Sequence, residues 1–261
     1  ILNENNEYHQ FKNLIVLLEQ GKSNYLLETS AIDYRKMAEK ILSEYKFMDF
    51  CTDHEKNYIL NNLKIHHYFS GETIYNRNKV CDEAIFVLKG TIQMGWNSAE
   101  GKHLIHRFIP SGSLLNIIYL MSGAKLQHEY IAHEAVTLAK IPEHVFKEIL
   151  NKNHKVLHHF FELICKRNCF LDNDIYFHHV KGLRAQLARQ FLYFLEYFAS
   201  YSNQNIVKLS IKLSQDNFAD LLKTSRQSIR KEIAWFVQEG IIEAKYNQFL
   251  IKEPERLRTL I

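Results

Sequence analysis

The sequence predicts an α+β protein: N-terminal helices, a jelly-roll-like β-roll, one long helix and a C-terminal winged helix-turn-helix. Three observations predict it. Between Ile65 and Ile141, short β-prone runs (HHYF, TIY, AIFVL, TIQMGW, KHLIHRF) alternate with turn residues, and Gly71, Gly90, Gly101, Gly112 and Gly123 punctuate the series. From Lys155 towards His178, apolar residues return at close to a coiled-coil spacing. From Leu213 to Gly240, two short amphipathic segments meet at a tight turn, and hairpin signals follow them.

The N-terminal helices rest on period. Phe11, Leu14, Ile15, Leu17 and Leu18 form one amphipathic piece, and Tyr34, Met37, Ala38, Ile41 and Leu42 another. Asp53 is placed to cap a third, with Tyr58, Ile59 and Leu63 as its apolar side. After the β-prone region, Pro142 is suited to the first turn of the next helix. In the long helix, Leu157, Phe160, Ile164, Leu171 and Ile175 make the expected seam, which Arg167 and Asp174 interrupt. Such a helix carries more apolar surface than a compact β-domain covers, so pairing with a second copy is expected, with packing inside the chain as the alternative. Leu183 to Ala199 is a further amphipathic helix, and Lys181 and Gly182 before it are the natural hinge. The boundaries that follow are an extension over 1–46, the β-roll over 47–150, the long helix over 151–180 and the winged helix over 181–261.

Composition agrees with a globular chain. Of 261 residues, 46% are apolar and 24% charged, enough for two domains. No apolar run approaches the ~20 residues of a membrane span; the longest, Leu114 to Met121, is broken by Asn116. The opening residues, ILNENNEYHQ, lack the basic-then-apolar order of a signal peptide, so a cytoplasmic location is expected. Cys51, Cys81, Cys165 and Cys169 form no CxxC pair, which argues against a zinc ribbon. Cys165 and Cys169 share a helical face, and buried free thiols are the favoured reading over a redox pair. The net charge of +4 is unevenly placed: residues 181–261 hold 13 Lys and Arg against 8 Asp and Glu. A basic surplus there is the footprint a phosphate backbone requires.

That basic segment has a specific shape. Ser214 stands as an N-cap before a first helix whose Phe218, Leu221 and Leu222 share a face. Thr224 and Ser225 offer a second cap, Ile229, Ile233, Phe236 and Val237 form the apolar stripe of the second helix, and Gly240 stops it. The opposite face presents Arg226, Gln227, Arg230 and Lys231, with Ser228 near its start. Arg and Lys can meet phosphates or guanine, and Gln can bond adenine in the major groove. Ser214, Thr224, Ser225, Arg226, Gln227, Ser228, Arg230 and Lys231 are therefore the candidate DNA-binding residues, against the plainer reading of a solvated basic face. Lys223 stands where the turn often has Gly, and it fits if its φ stays negative. No Walker loop, HExxH, nucleophile elbow or paired-carboxylate signature is present, so no enzymatic activity is expected.

With these elements in this order, the chain resembles the CRP/FNR family of bacterial transcription regulators over roughly Phe47 to Ile251. The resemblance is carried by SGETIYNRNKVCDEAIFVLKGTIQM, by PSGSLLNIIYLMSG, which looks like the family's phosphate cassette, and above all by LSQDNFADLLKTSRQSIRKEI. It implies a cyclic-nucleotide-binding-like β-roll, a homodimer on a palindromic operator, and double-stranded DNA and RNA polymerase as partners. On the recognition motif it implies base and phosphate contacts for Arg226, Gln227 and Lys231. Gln227 replaces a frequent Glu, which shifts the expected base from cytosine towards adenine. The cyclic-nucleotide branch places a Glu and an Arg-Ser pair where this chain has Ile117, Leu126 and Gln127, so cyclic AMP is not expected. An iron–sulfur cluster is not expected either, since only Cys51 lies near the N-terminal region. What remains is a candidate effector pocket of Leu115, Asn116, Ile117, Leu126, Gln127 and Tyr130, suited to a small apolar or weakly polar molecule or filled by its own side chains. No cofactor and no metal are expected; a haem or redox sensor remains the minority reading among fourteen histidines. An effector-independent regulator is a further alternative. A β-roll binding module without DNA binding is the rival from another class.

Overall fold

A computed structural model describes residues 34–98, 101–201 and 206–261; the helix read at Phe11 to Leu18 lies outside them. The chain divides into two compact units, Ile1–Met94 with Phe108–Asp172, and Gly95–Arg107 with Asn173–Ile261. Among the described residues, no helix is long and apolar enough to cross a membrane.

The first unit opens with three described helices. In α1 (Tyr34–Ser43), Ala38, Ile41 and Leu42 recur at helical spacing and are buried. Helix α2 (Lys46–Phe50) buries Phe47 and Met48. Helix α3 (Asp53–Asn62) is capped by Thr52 rather than by Asp53. The Thr52 hydroxyl accepts from the Glu55 N–H at 3.3 Å, and the Glu55 carboxylate accepts from the Thr52 N–H at 2.7 Å. This reciprocal box satisfies two orphan donors, which a carboxylate one residue later does not.

Eight strands follow along the chain, β4 and β5 being divided between the two units: β1 (Lys64–Tyr68), β2 (Thr73–Tyr75), β3 (Glu83–Lys89), β4 (Ile92–Asn97), β5 (His103–Ile109), β6 (Leu114–Leu115), β7 (Glu129–Ala132) and β8 (Val136–Pro142). They form two sheets, in the orders β1-β8-β3-β6 and β2-β7-β4-β5. Strand β3 lies between β8 and β6, and everything from Ala84 to Leu88 is buried. A strand covered on both faces reads as a continuous apolar run, which is why AIFVL does not alternate. Gly90 turns the chain between β3 and β4. Its φ is +85, and a Cβ there would lie 2.3 Å from the Ala135 carbonyl oxygen. Only Gly fits.

A charged cluster lies inside this unit. Lys140, 6% exposed, sits 3.3 Å from Glu83 and 4.7 Å from the centre of the Tyr75 ring. The Tyr75 hydroxyl donates to Glu83 Oε2. Burial acts to raise the Glu83 carboxyl's pKa, but the Tyr75 hydrogen bond and the Lys140 ammonium outweigh it and hold the group below its ordinary value. A buried ammonium is tolerated here because carboxylate and rings replace its water.

Pro142 ends β8 and occupies the N-cap position of α5 (Glu143–Lys152), with α4 (Ile117–Ser122) lying between β6 and β7. The proline thus stands one residue ahead of the expected first turn. Helix α6 (His154–Val180) starts where the Asn153 side chain accepts the N–H groups of Lys155 and Val156. Val156, Phe160, Leu163 and Phe177 on it are buried. Phe160 packs its ring 5.4 Å from Phe47 and 5.3 Å from Phe146. The expected seam is therefore wrong at Phe160, which this chain's own core consumes. Its neighbour Phe161 is the exposed ring. The thiols differ from expectation too: Cys51 and Cys81 are buried, but Cys165 and Cys169 are exposed on α6. Burial pushes the Cys51 thiol up to about 12 and the Cys81 thiol up to about 11, which keeps both protonated and unreactive.

In the second unit, α7 (Leu183–Tyr197) is followed by a four-stranded sheet in the order β11-β12-β10-β9, made of β9 (Ala199–Tyr201), β10 (Val207–Leu209), β11 (Ile242–Lys245) and β12 (Gln248–Ile251). Between β10 and β11 lie α8 (Gln215–Leu221) and α9 (Arg226–Gln238), and α10 (Pro254–Arg258) follows the sheet. Phe191 of α7 centres the core: its ring lies 5.3 Å from Phe218, 5.7 Å from Phe236 and 5.5 Å from Phe249.

Candidate nucleic-acid interface

Helix α8 starts on Ser214, whose hydroxyl accepts from the Asn217 N–H at 3.1 Å while Asn217 Oδ1 accepts from the Ser214 N–H at 2.8 Å. Helix α9 starts on Ser225, whose hydroxyl accepts from the Ser228 N–H at 3.0 Å. The turn between them is closed by the Thr224 N–H bonding to the Ala219 carbonyl at 2.9 Å. Both serine caps stand where the sequence places them.

Lys223 departs from expectation. Its φ is +50, in the left-handed region, where a Cβ meets the neighbouring carbonyl. Closing a helix-turn-helix within these few residues forces the chain through that region, and Lys223 is strained there by about 1 kcal/mol. Lys223→Gly is expected to raise the stability of the second unit by about that amount, read as an increased urea midpoint at unchanged slope.

Ile229, Ile233 and Phe236 of α9 are buried, whereas Val237, expected in the same stripe, is 42% exposed. The reason is rotational: Val237 stands a further ~100° around the helix from Phe236, beyond the edge of the packed face. Arg226, Gln227, Arg230 and Lys231 are all exposed, and Ser228 is half-buried. Arg226 lies 3.3 Å from Asp216, an open surface pair that exchanges partners at little cost. An uncovered helix N-terminus with no acidic residue in its first turn favours anions.

The back of α9 carries contacts that the sequence did not disclose. Arg184, in the first turn of α7, donates from Nε to Glu232 at 2.7 Å and lays its guanidinium 3.8 Å from the centre of the Trp235 ring. Arg189 of α7 pairs with Asp174 at 3.0 Å and stacks 4.4 Å from the Phe177 ring. Gln186 Nε2 donates to the carbonyls of His178 and Lys181 across the break at Gly182. The orientation of the recognition helix is thus tied through α7 to the end of α6. The β11–β12 hairpin turns on Tyr246 and Asn247, with φ of +49 and +62, as a wing whose Tyr246 is presented to solvent.

In the β-roll, Leu115, Asn116, Ile117, Leu126 and Tyr130 are buried, and Gln127 is exposed. Asn116 has a φ of +75 and donates from Nδ2 to the Glu83 carbonyl at 3.3 Å, while its Oδ1 is buried without a partner among the described residues. Ile117 and Leu126, at two of the places where the resemblance expects polar contacts to a cyclic nucleotide, present only hydrocarbon. Lys140 is already held by Glu83. None of the six pocket residues carries a charge that could meet a cyclic phosphate.

Residues 65–153 match the model of the cyclic nucleotide-binding domain, and residues 185–260 match that of the Crp-like helix-turn-helix domain. Together the two matches take in more than half of the chain. The chain belongs to the CRP/FNR family. It is a transcription regulator whose DNA-binding domain is the helix-turn-helix unit.

Solved structures share the fold of this CRP/FNR regulator. A CRP/FNR transcriptional regulator from Thermus thermophilus is 21% identical, with a TM-score of 0.61 over 76% of this chain and 97% of that one. FixK2 from Bradyrhizobium japonicum is 14% identical, with a TM-score of 0.65 over 76% and 96%. A CRP/FNR protein from Eubacterium rectale is 21% identical, with a TM-score of 0.63 over 83% and 97%. No curated protein matches the sequence.

Proposed function

We propose that this CRP/FNR regulator works as a homodimer that places two copies of α9 in successive major grooves of a palindromic operator. The observation that carries the reading is the outer face of α9. Arg226, Gln227, Arg230 and Lys231 are exposed together while Ile229, Ile233 and Phe236 anchor the helix from behind. Two such helices must be separated by one helical turn of DNA, ~34 Å, to engage one face of the duplex. Arg226 and Gln227, in the first turn of α9, are nearest the base edges; Arg230 and Lys231, with the hydroxyls of Ser214, Thr224, Ser225 and Ser228, serve the phosphates and the caps. Gln227 favours adenine, because its amide both donates and accepts. Recruitment of RNA polymerase belongs to the same reading.

The effector is read from the β-roll. Apolar Leu115, Ile117 and Leu126, with Tyr130 and the unpartnered Asn116 Oδ1, support a small weakly polar ligand that brings one hydrogen-bond donor. Its binding would shift the population of α6 packings and re-aim α9 through the Arg184 and Arg189 contacts. Gln127 is exposed, and its Nε2 donates to the Lys125 carbonyl at 3.1 Å.

A gel-shift titration on the selected operator tests the DNA reading. Arg226→Ala is expected to weaken binding by about 1–3 kcal/mol, with specificity relaxed at one base pair. Binding should also fall steeply with added salt through counterion release. Unchanged affinity for the variant would remove Arg226 from the interface. Weak, salt-insensitive binding by the unaltered protein would favour an assembly module instead.

A further inference from the structure

The exposed side of α6 carries a regular repeat with one exception in it. Residues 157, 161, 164, 168, 171 and 175 are spaced by alternating steps of four and three, the a and d positions of a heptad. Five are apolar: Leu157, Phe161, Ile164, Leu171 and Ile175. Phe161, Leu171 and Ile175 are 61%, 38% and 58% exposed, and Leu157 and Ile164 are half-buried, so the row is an apolar strip open along one side of the helix. The sixth is Asn168, also exposed, at an a position in the middle of the seam.

We propose that Asn168 sets the register and the two-stranded state of the paired α6 helices; this rests on the homodimer reading above. An amide has one acceptor and two donors, so two copies of Asn168 satisfy each other only when the helices run parallel and unshifted. A shift by one heptad sets the amide against Phe161 or Ile175, and a third helix leaves one amide of the layer unmatched. Ile175 at an a position with Leu157 and Leu171 at d positions favours two strands as well. The charges flanking the seam agree. Arg167 and Asp172 hold g and e positions, so in a parallel pair the Arg167 of one copy faces the Asp172 of the other. For an operator reader the consequence is geometric. A slipped pairing would offset the two copies of α9 along the duplex.

Sedimentation equilibrium on the full chain tests this with two exposed substitutions. Leu171→Glu should yield monomers. Asn168→Ile should tighten self-association by about tenfold or more and spread the mass beyond the dimer, because the polar constraint is removed. If Leu171→Glu dissociates the protein while Asn168→Ile leaves both stoichiometry and dissociation constant unchanged, or loosens the dimer, the role of Asn168 is overturned and the dimer stands. If Leu171→Glu leaves the mass unchanged, the dimer reading itself fails and takes the role of Asn168 with it. Asn168→Cys in a Cys165→Ser, Cys169→Ser background adds a readout independent of affinity. Facing a positions should oxidise to a covalent dimer, and absence of that cross-link overturns the pairing.

Discussion

Phe191→Ala is expected to cost the second unit about 4 kcal/mol, because it deletes a fully buried ring and leaves its lining little freedom to collapse. Phe218, Phe236 and Phe249 come from α8, α9 and β12, and each packs against that one ring. All three elements of the winged helix therefore lose their common neighbour at once. A loss of this size is a large part of the ~5–15 kcal/mol that typically separates folded from unfolded domains. Urea unfolding followed by tryptophan fluorescence reads it, since Trp235 lies beside Phe236 on α9. A loss below about 1 kcal/mol would mean that the aromatic cluster is not the centre of this core.

The double substitution Phe161→Glu, Ile175→Glu is expected to lower affinity for a palindromic operator by about 100-fold or more, the avidity lost when two linked readers become separate. Affinity for an isolated half-site should be unchanged, since α9 and its supports are untouched. Both residues are more than half exposed, so the melting temperatures of the two units should hold. Fluorescence anisotropy with full and half operators makes the comparison. Equal losses on both duplexes would assign the effect to folding, and no loss on either would remove α6 from the dimer interface.

Much of the interface was legible because it is local. Ser214 and Ser225 are caps by chemistry and position, and Ile229, Ile233 and Phe236 share a face by period alone. Lys223 could be flagged as out of place in the turn, but its positive φ follows from how α8 and α9 close on each other. Phe160 and Phe161 mark the limit sharply. Both are large, apolar and adjacent, and a count of spacings allows either in the seam. Contact with Phe47 and Phe146, distant from both along the chain, decides which one the core takes. The same holds for Cys165 and Cys169, whose shared face period predicts but whose exposure it does not.

Period, capping chemistry and charge placement were enough to specify which elements form, their order and the cationic face of α9, because those signals act between residues a few positions apart. Tertiary packing alone decided the order of the strands, the Lys140–Glu83–Tyr75 cluster, the grip of Arg184 on Trp235 and Glu232, and the side of α6 left open. Each of those joins groups far apart in sequence, and burial, which sets their energy, is a property of the assembled chain.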